Sequence, residues 1–244
     1  YGIYGPHYDP EMNVARPTGN DLSAANPLIV HPGSSLVSTI SQIEPIKPSL
    51  PLKTAAILTV LSEPAAEGSF RPPYCGTDKS ISFNKSQLNY SLLKSLTPVP
   101  TVPDLPVVER YFQRPWLNHV PGWMGRSLTP LENRPWYDRE VSTQVGIGAL
   151  MLNLNFSDQQ KEKLLCSYIQ LGIDLFSLIE DGGRLMFSQD TGRKLPIIFA
   201  GLMLNDNNMK NIGFLNNPDS DDYVQFEEDI HTFYVTQADI DLSH

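Results

Sequence analysis

Basic residues are scarce in this 244-residue chain: 18 lysines and arginines stand against 27 acids, the formal charge is −9, and no lysine or arginine follows Lys210. Wrapping a polyphosphate then needs a segregated basic patch, and the sequence supplies none, so nucleic acid is not an expected partner. Cysteine is limited to Cys75 and Cys166, and the five histidines at 7, 31, 119, 231 and 244 are scattered. Neither cysteine has a second Cys or a His at ligand spacing, so no metal is expected, and two distant thiols report no redox compartment. The longest apolar run, Leu195 to Leu204, is far too short to cross a bilayer, and no charged-then-apolar leader opens the chain. Because it starts at Tyr1 rather than Met, the chain is expected to be a processed form or a piece of something longer. Gly-x-Ser-x-Gly and His-Glu-x-x-His motifs are missing, which removes serine hydrolase and zinc protease readings. No cofactor is implied. Asn-x-Ser sequons at Asn84, Asn89 and Asn155 matter only in a eukaryotic secretory setting.

Proline is abundant but unevenly placed: 19 of 21 fall at or before Pro135. Long helices are not expected before that point. Ser34 to Ser41 and Leu52 to Ser62 read as strands, the second apolar enough for burial on both faces, with prolines bracketing them. Residues 97–106 carry a proline at every second or third position and suggest an extended connector. The expected class is therefore α+β: a β-rich, proline-containing region over 1–96, a proline and aromatic linker over 97–135, and an incomplete α-helical hairpin region over 136–244.

Beyond Pro135 the period becomes helical. Val145, Gly148, Ala149 and Leu152 share one face, where small residues permit close approach. Ser157 and Gln160 form a capping-box pattern opening a second helix, whose stripe is Leu164, Leu165, Tyr168, Leu171, Leu175 and Ile179. Gly182 and Gly183 supply its stop, and the short link between the two helices predicts an antiparallel hairpin. Lys194 to Asn205 reads as a third helix, apolar almost all round and so buried between neighbours. Thr236 to Asp239 resembles another capping box close to the end of the sequence. Eight acids lie between Asp219 and Asp241 among apolar residues such as Phe226, Ile230, Phe233, Tyr234 and Ile240. That mixture predicts a segment docking on another chain or on missing sequence, the alternative being that it folds back on its own hairpins.

Trp116, Trp123 and Trp136 fall within 21 residues, beside His119, Tyr137, Arg114, Arg126 and Arg134. Aromatic faces stack on sugar rings and arginines fork onto carboxylate or sulfate, so this composition suits an acidic glycan. The alternative is that the tryptophans seal an interdomain joint and the arginines pair with Glu109, Glu132, Asp138 and Glu140. In Phe70-Arg-Pro-Pro-Tyr74, two prolines fix Arg71 and Tyr74 in defined directions, as a binding loop or as an ordinary turn after the second strand. The glycine-containing stretch from Asp181-Gly-Gly-Arg184 to Gly192-Arg-Lys194 enters the third helix and suggests an anion site, without nucleotide-loop spacing. His231 lies among acids that could hold it as a base, although a lone histidine in an acidic surface loop is more often a solvated residue.

Gly192-Arg-Lys-Leu-Pro-Ile-Ile-Phe-Ala-Gly-Leu-Met-Leu-Asn-Asp206, after the Asp181-Gly-Gly183 stop and a regular helix, resembles the inner-helix start of the α/α-toroid glycan enzymes, the six-hairpin glycosidases and toroid polysaccharide lyases. The resemblance covers about residues 135–215. It implies an acidic polysaccharide as partner and β-elimination, in which Arg, Asn or His neutralises a uronate carboxylate while Tyr or His removes the α-proton. By residue type, His119, Arg126 and Tyr137 are the catalytic candidates, and Trp116, Trp123, Trp136, Arg71 and Tyr74 the substrate contacts. Six hairpins need roughly 240 residues, whereas 110 remain from Pro135, so completion by another chain or by missing sequence is expected. A secreted or cell-surface location follows from such a partner. Two other readings stay open: a non-catalytic glycan-binding or surface-assembly module, and a hydrolase using two carboxylates, with Asp138 and Glu140 nearest the aromatic segment.

Overall fold

The computed structural model describes residues 24, 25, 27, 29–41, 52–117, 129–133, 140–180, 191–213, 226, 228 and 237–242. Strands β1 (Ser34–Ser41) and β2 (Leu52–Val60) form a two-stranded antiparallel sheet. Among the described residues six α-helices follow: α1 (Leu105–Tyr111), α2 (Glu140–Leu152), α3 (Asp158–Glu180), α4 (Lys194–Leu204), α5 (Asn207–Lys210) and α6 (Gln237–Leu242). Strands and helices in one chain make the arrangement α+β.

The two strands fall where β-branched and apolar residues cluster between prolines, and they pair from Ser34 opposite Val60 to Ile40 opposite Thr54. Ser41 then pairs with Leu52, leaving Lys53 as an extra residue that shifts the register. Only one face of β2 is covered. Leu52 and Ala55 pack with Leu117, Val37, Ile57 and Tyr74, whereas Leu58 is 61% exposed. The two-sided burial expected of this strand is therefore corrected: with Ala56 and Leu58 exposed, the second face is not buried as the first is.

The main core is helical. Val145 and Leu152 on α2, and Leu164, Leu165, Tyr168, Leu171, Leu175 and Ile179 on α3, are all buried, as their spacing predicts. Gly148 meets the Phe112 ring so closely that a Cβ there would lie 2.8 Å from it. The capping box at the start of α3 is formed: the Ser157 amide donates to Gln160 Oε1 at 2.9 Å and the Gln160 amide to Ser157 Oγ at 3.3 Å. Two contacts fix the direction of the hairpin. Lys161 Nζ reaches Leu152 O at 3.1 Å, and Tyr168 Oη donates to Val145 O at 3.1 Å, so α3 runs back along α2.

Helix α4 lies across α3 at Gly172, where a Cβ would come within 2.3 Å of the Pro196 carbonyl oxygen. It ends at Asn205, whose φ of 55° is the left-handed cap that closes the last turn. Burial all round α4 is not found: Leu195 and Leu202 are 42% and 47% exposed. They lie seven residues apart, two full turns, and so share one exposed face of the helix.

Two features escape a reading by composition. Helix α1 starts inside the stretch expected to be an extended connector, because Pro106 sits in its first turn, where no backbone N–H is needed. Phe70 and Leu88, which follow the hairpin, are buried in the helical core. Of the acidic C-terminal segment, Phe226 is fully buried in that same core, with Lys194 Nζ 5.6 Å from its ring centre, while Ile240 and Leu242 are 41% and 86% exposed. At Phe226 the chain folds back on itself. Phe233, Tyr234 and Thr236 lie outside the described residues.

Candidate functional site

The Phe70–Tyr74 loop is held by a series of backbone hydrogen bonds. Phe70 is buried and its amide donates to Phe83 O at 2.9 Å. The Arg71 amide donates to Gln170 Oε1 at 3.0 Å, and Gln170 Nε2 donates back to Arg71 O at 3.1 Å. Pro72 and Pro73 bring no N–H to satisfy. The carbonyls of Pro73 and Cys75 accept from the buried Lys79 Nζ at 2.8 and 2.9 Å. The loop is thus fixed to α3 on one side and stapled by a lysine on the other.

Its arginine is fixed as well. Arg71 Nη1 donates to Pro72 O at 2.7 Å and Nη2 pairs with Asp174 Oδ2. Burial pushes the Asp174 carboxyl above the usual range for aspartate, and the facing guanidinium opposes that rise. A second arginine is held in the same manner. The Arg114 amide donates to Asn133 Oδ1 at 2.8 Å, Asn133 Nδ2 donates to Arg114 O at 2.9 Å, and Arg114 Nε pairs with Glu132 Oε2 at 2.7 Å. Asn133 is fully buried and spends its amide on this one residue.

Both arginines line one cleft of about 480 Å³, between the Phe70 loop, the segment after α1 and the outer face of α3. Lys85, Glu162, Cys166 and Gln170 complete its polar wall. Lys85 and Glu162 pair across it at 2.8 Å, and the glutamate raises the lysine pKa. Burial, with Glu162 nearby, raises the Cys166 pKa, which keeps it a thiol and a poor nucleophile at neutral pH. Cys75 and Cys166 are both partly buried thiols. Tyr168 is no base either: it is buried, its pKa is pushed up by that burial, and its hydroxyl is given to Val145 O. Chemically the cleft offers cations, each paired with a carboxylate, together with amides and a hydroxyl, Ser167.

Of the candidates chosen from sequence, Arg71 stands in this cleft and Trp116 at its wall. Trp116 is only 2% exposed, stacks on Phe112 at 5.8 Å between ring centres, and donates from Nε1 to Tyr111 O at 3.1 Å. Its faces are spent on the core, so it supports the wall rather than offering a platform to a sugar. Tyr74 approaches it, with its hydroxyl 3.4 Å from Trp116 O. His119, Trp123, Arg126, Trp136 and Tyr137 lie outside the described residues, as do His231, Asp138 and the Asp181–Arg184 turn. Glu140 opens α2.

The expected anion site before α4 is filled by the chain's own carboxylate. Glu228 Oε1 accepts from the Gly192 amide at 2.6 Å and the Lys194 amide at 3.0 Å, so a glutamate 34 residues downstream caps the helix. Sequence reasoning missed Gln170, Asn133, Lys79 and Asp174. Only Asp174 carried a signal, as a charge inside an otherwise buried helical stripe. Among the described residues no cluster of His, Cys, Asp and Glu could hold a metal ion, and no helix is long and apolar enough to cross a membrane. Comparison with family models, curated proteins and solved structures returns no match to this chain.

Proposed function

We propose that the protein is carbohydrate-active and holds an acidic polysaccharide in the cleft between the Phe70 loop and α3, with lyase-type β-elimination as its reaction. The supporting observation is the lining of that cleft: Arg71, Arg114 and Lys85 around about 480 Å³, with Glu162 and Asp174 paired to two of these cations and Gln113, Ser167 and Gln170 between them. Cavities of this size take a ligand of a few hundred daltons, and a short acidic saccharide matches the cations with its carboxylate or sulfate and the amides with its hydroxyls. In the elimination, a cation neutralises the uronate carboxylate and so acidifies the neighbouring C–H. A base takes that proton, the double bond forms, and the glycosidic oxygen leaves with the bonding electrons and is then protonated. His119, Arg126 and Tyr137 are the proposed catalytic residues, with Arg71, Tyr74, Trp123 and Trp136 as saccharide contacts. An α/α-toroid built from hairpins such as α2–α3, completed by further sequence or another chain, is the proposed architecture. The ligand implies a secreted or surface location.

A specific observation favours a second reading, a non-catalytic glycan-binding module. The described cleft residues supply binding groups, while the thiol in it and the tyrosine beneath it have raised pKa values and Asp174 is tied to Arg71. Incubating the protein with several uronate-containing glycans separates the two. Ultraviolet absorbance from an unsaturated product supports elimination, and binding without product supports the module. Absence of binding to every uronate and sulfated glycan tested overturns both.

A further inference from the structure

Arg71 and Arg114 are the two arginines of the cleft, and each is held by the same device. A side-chain amide takes both the backbone N–H and the backbone C=O of the arginine, Gln170 for Arg71 and Asn133 for Arg114. A carboxylate then anchors one edge of each guanidinium: Asp174 on Nη2 of the first, Glu132 on Nε of the second. A carboxamide that spends both its donor and its acceptor on one residue fixes the position and twist of that residue, as a strand partner does. Each guanidinium has five N–H donors; the carboxylate takes one on each arginine and Pro72 O takes a second on Arg71, which leaves N–H groups on both for a ligand. Exposure of 21% for the Arg71 side chain and 38% for Arg114 leaves part of both at the surface.

We propose that Gln170 and Asn133 are positioning residues that hold Arg71 and Arg114 as two preset forks, so that the cleft selects a saccharide carrying two acidic groups. The inference rests on the acidic-saccharide reading above and adds to it the selecting feature. Preorganisation matters because an unheld arginine loses its rotamer freedom on binding, and a held one has already lost it. A ligand with one acid meets one fork, and a ligand with two meets both.

The test is calorimetric titration of the whole chain with uronate oligosaccharides carrying one or two acidic groups, on the native protein, Arg71→Lys, Gln170→Met and the double variant. The diacid is expected to bind the native protein about tenfold or more tightly than the monoacid, and Arg71→Lys or Gln170→Met to remove most of that preference. If Gln170 acts through Arg71, adding Gln170→Met to Arg71→Lys changes the diacid preference little further, while monoacid binding, which a general loosening of the fold would also weaken, stays close to that of Arg71→Lys. Additive losses, or an unchanged diacid preference in either single variant, overturn the inference while the saccharide reading stands. No binding of any acidic saccharide by the native chain overturns both. Asn133→Asp keeps the acceptor for the Arg114 amide and removes the donor, so it repeats the test at the second fork should Gln170→Met fail to fold.

Discussion

The helical core and the β-hairpin are held together by different physics. In the core, α2, α3 and α4 bury whole stripes of large side chains, and Gly172 and Gly201 let backbones approach to distances that no side chain tolerates. The hairpin has one covered face, a core of Leu52, Ala55 and Leu117 with a few partly buried neighbours, and a polar tether. That tether is the 129–133 segment, which donates from the Leu131 and Glu132 amides to Leu52 O and Lys53 O at 3.0 and 3.2 Å. Packing defects are therefore expected to unfold the core cooperatively, and charge changes to loosen the hairpin alone.

The sharpest break is Gly172→Ala. The added methyl would sit 2.3 Å from Pro196 O and 2.7 Å from the Ala200 Cβ, so α3 and α4 must separate. A loss of about 3 kcal/mol in urea unfolding is expected, despite the better helix propensity of alanine. A variant as stable as the native chain would show that α4 is not packed on α3 as described.

Lys161→Met is expected to cost less. Lys161 is 4% exposed, and its ammonium group lies 3.1 and 3.3 Å from the carbonyls of Leu152 and Leu154 at the end of α2. Methionine fills the same space with no donor, leaving carbonyls at a buried helix end without their partner, for a loss of about 2 kcal/mol. Circular dichroism through a thermal ramp should show an earlier transition with the same cooperativity. A split transition would mean that α2 melts separately from α3.

The two regions also differ in how far the sequence discloses them. The capping box at Ser157 and Gln160 and the stripe from Leu164 to Ile179 are local patterns of three or four residues, and local patterns survive into the fold. Both strands were likewise marked by their β-branched runs between prolines. The cleft was not disclosed, because its contacts are long-range: Gln170 lies 99 residues from Arg71, and Asn133 holds Arg114 across 19. Arg71 is marked in the sequence by the two prolines that follow it, yet the residues that aim it are an ordinary glutamine and a buried aspartate on a helix. Trp116 drew notice through composition, which does not distinguish a ring lying on a sugar from one stacked on Phe112. Glu228 shows the same limit, since an acid in an acidic segment gives no sign that it caps a helix 34 residues upstream.

The smallest expected effect is a pH dependence confined to the hairpin. Glu132 Oε2 accepts from Thr54 Oγ1 on β2 at 2.9 Å and from Arg114 Nε at 2.7 Å, joining the sheet to the cleft segment. The Thr54 hydroxyl, and after it the Arg114 guanidinium, hold the carboxyl below the ordinary glutamate value of 4.5. A folded-state pKa below the unfolded one means that the unfolded chain binds the proton more readily. The stabilisation is therefore complete above the unfolded value and is lost as pH falls through the folded one. Because the pair is partly exposed, solvent and salt screen it and the effect is modest. Measured as the difference in urea midpoint between the native chain and Glu132→Gln, it should be largest near about pH 7 and close as pH drops towards about 3. Amide exchange should locate the loss in Lys53, Thr54 and Leu131 and leave the α3 amides unchanged. A midpoint difference that does not vary with pH would mean that Glu132 holds the hairpin by shape and not by charge, and that both regions respond to packing alone.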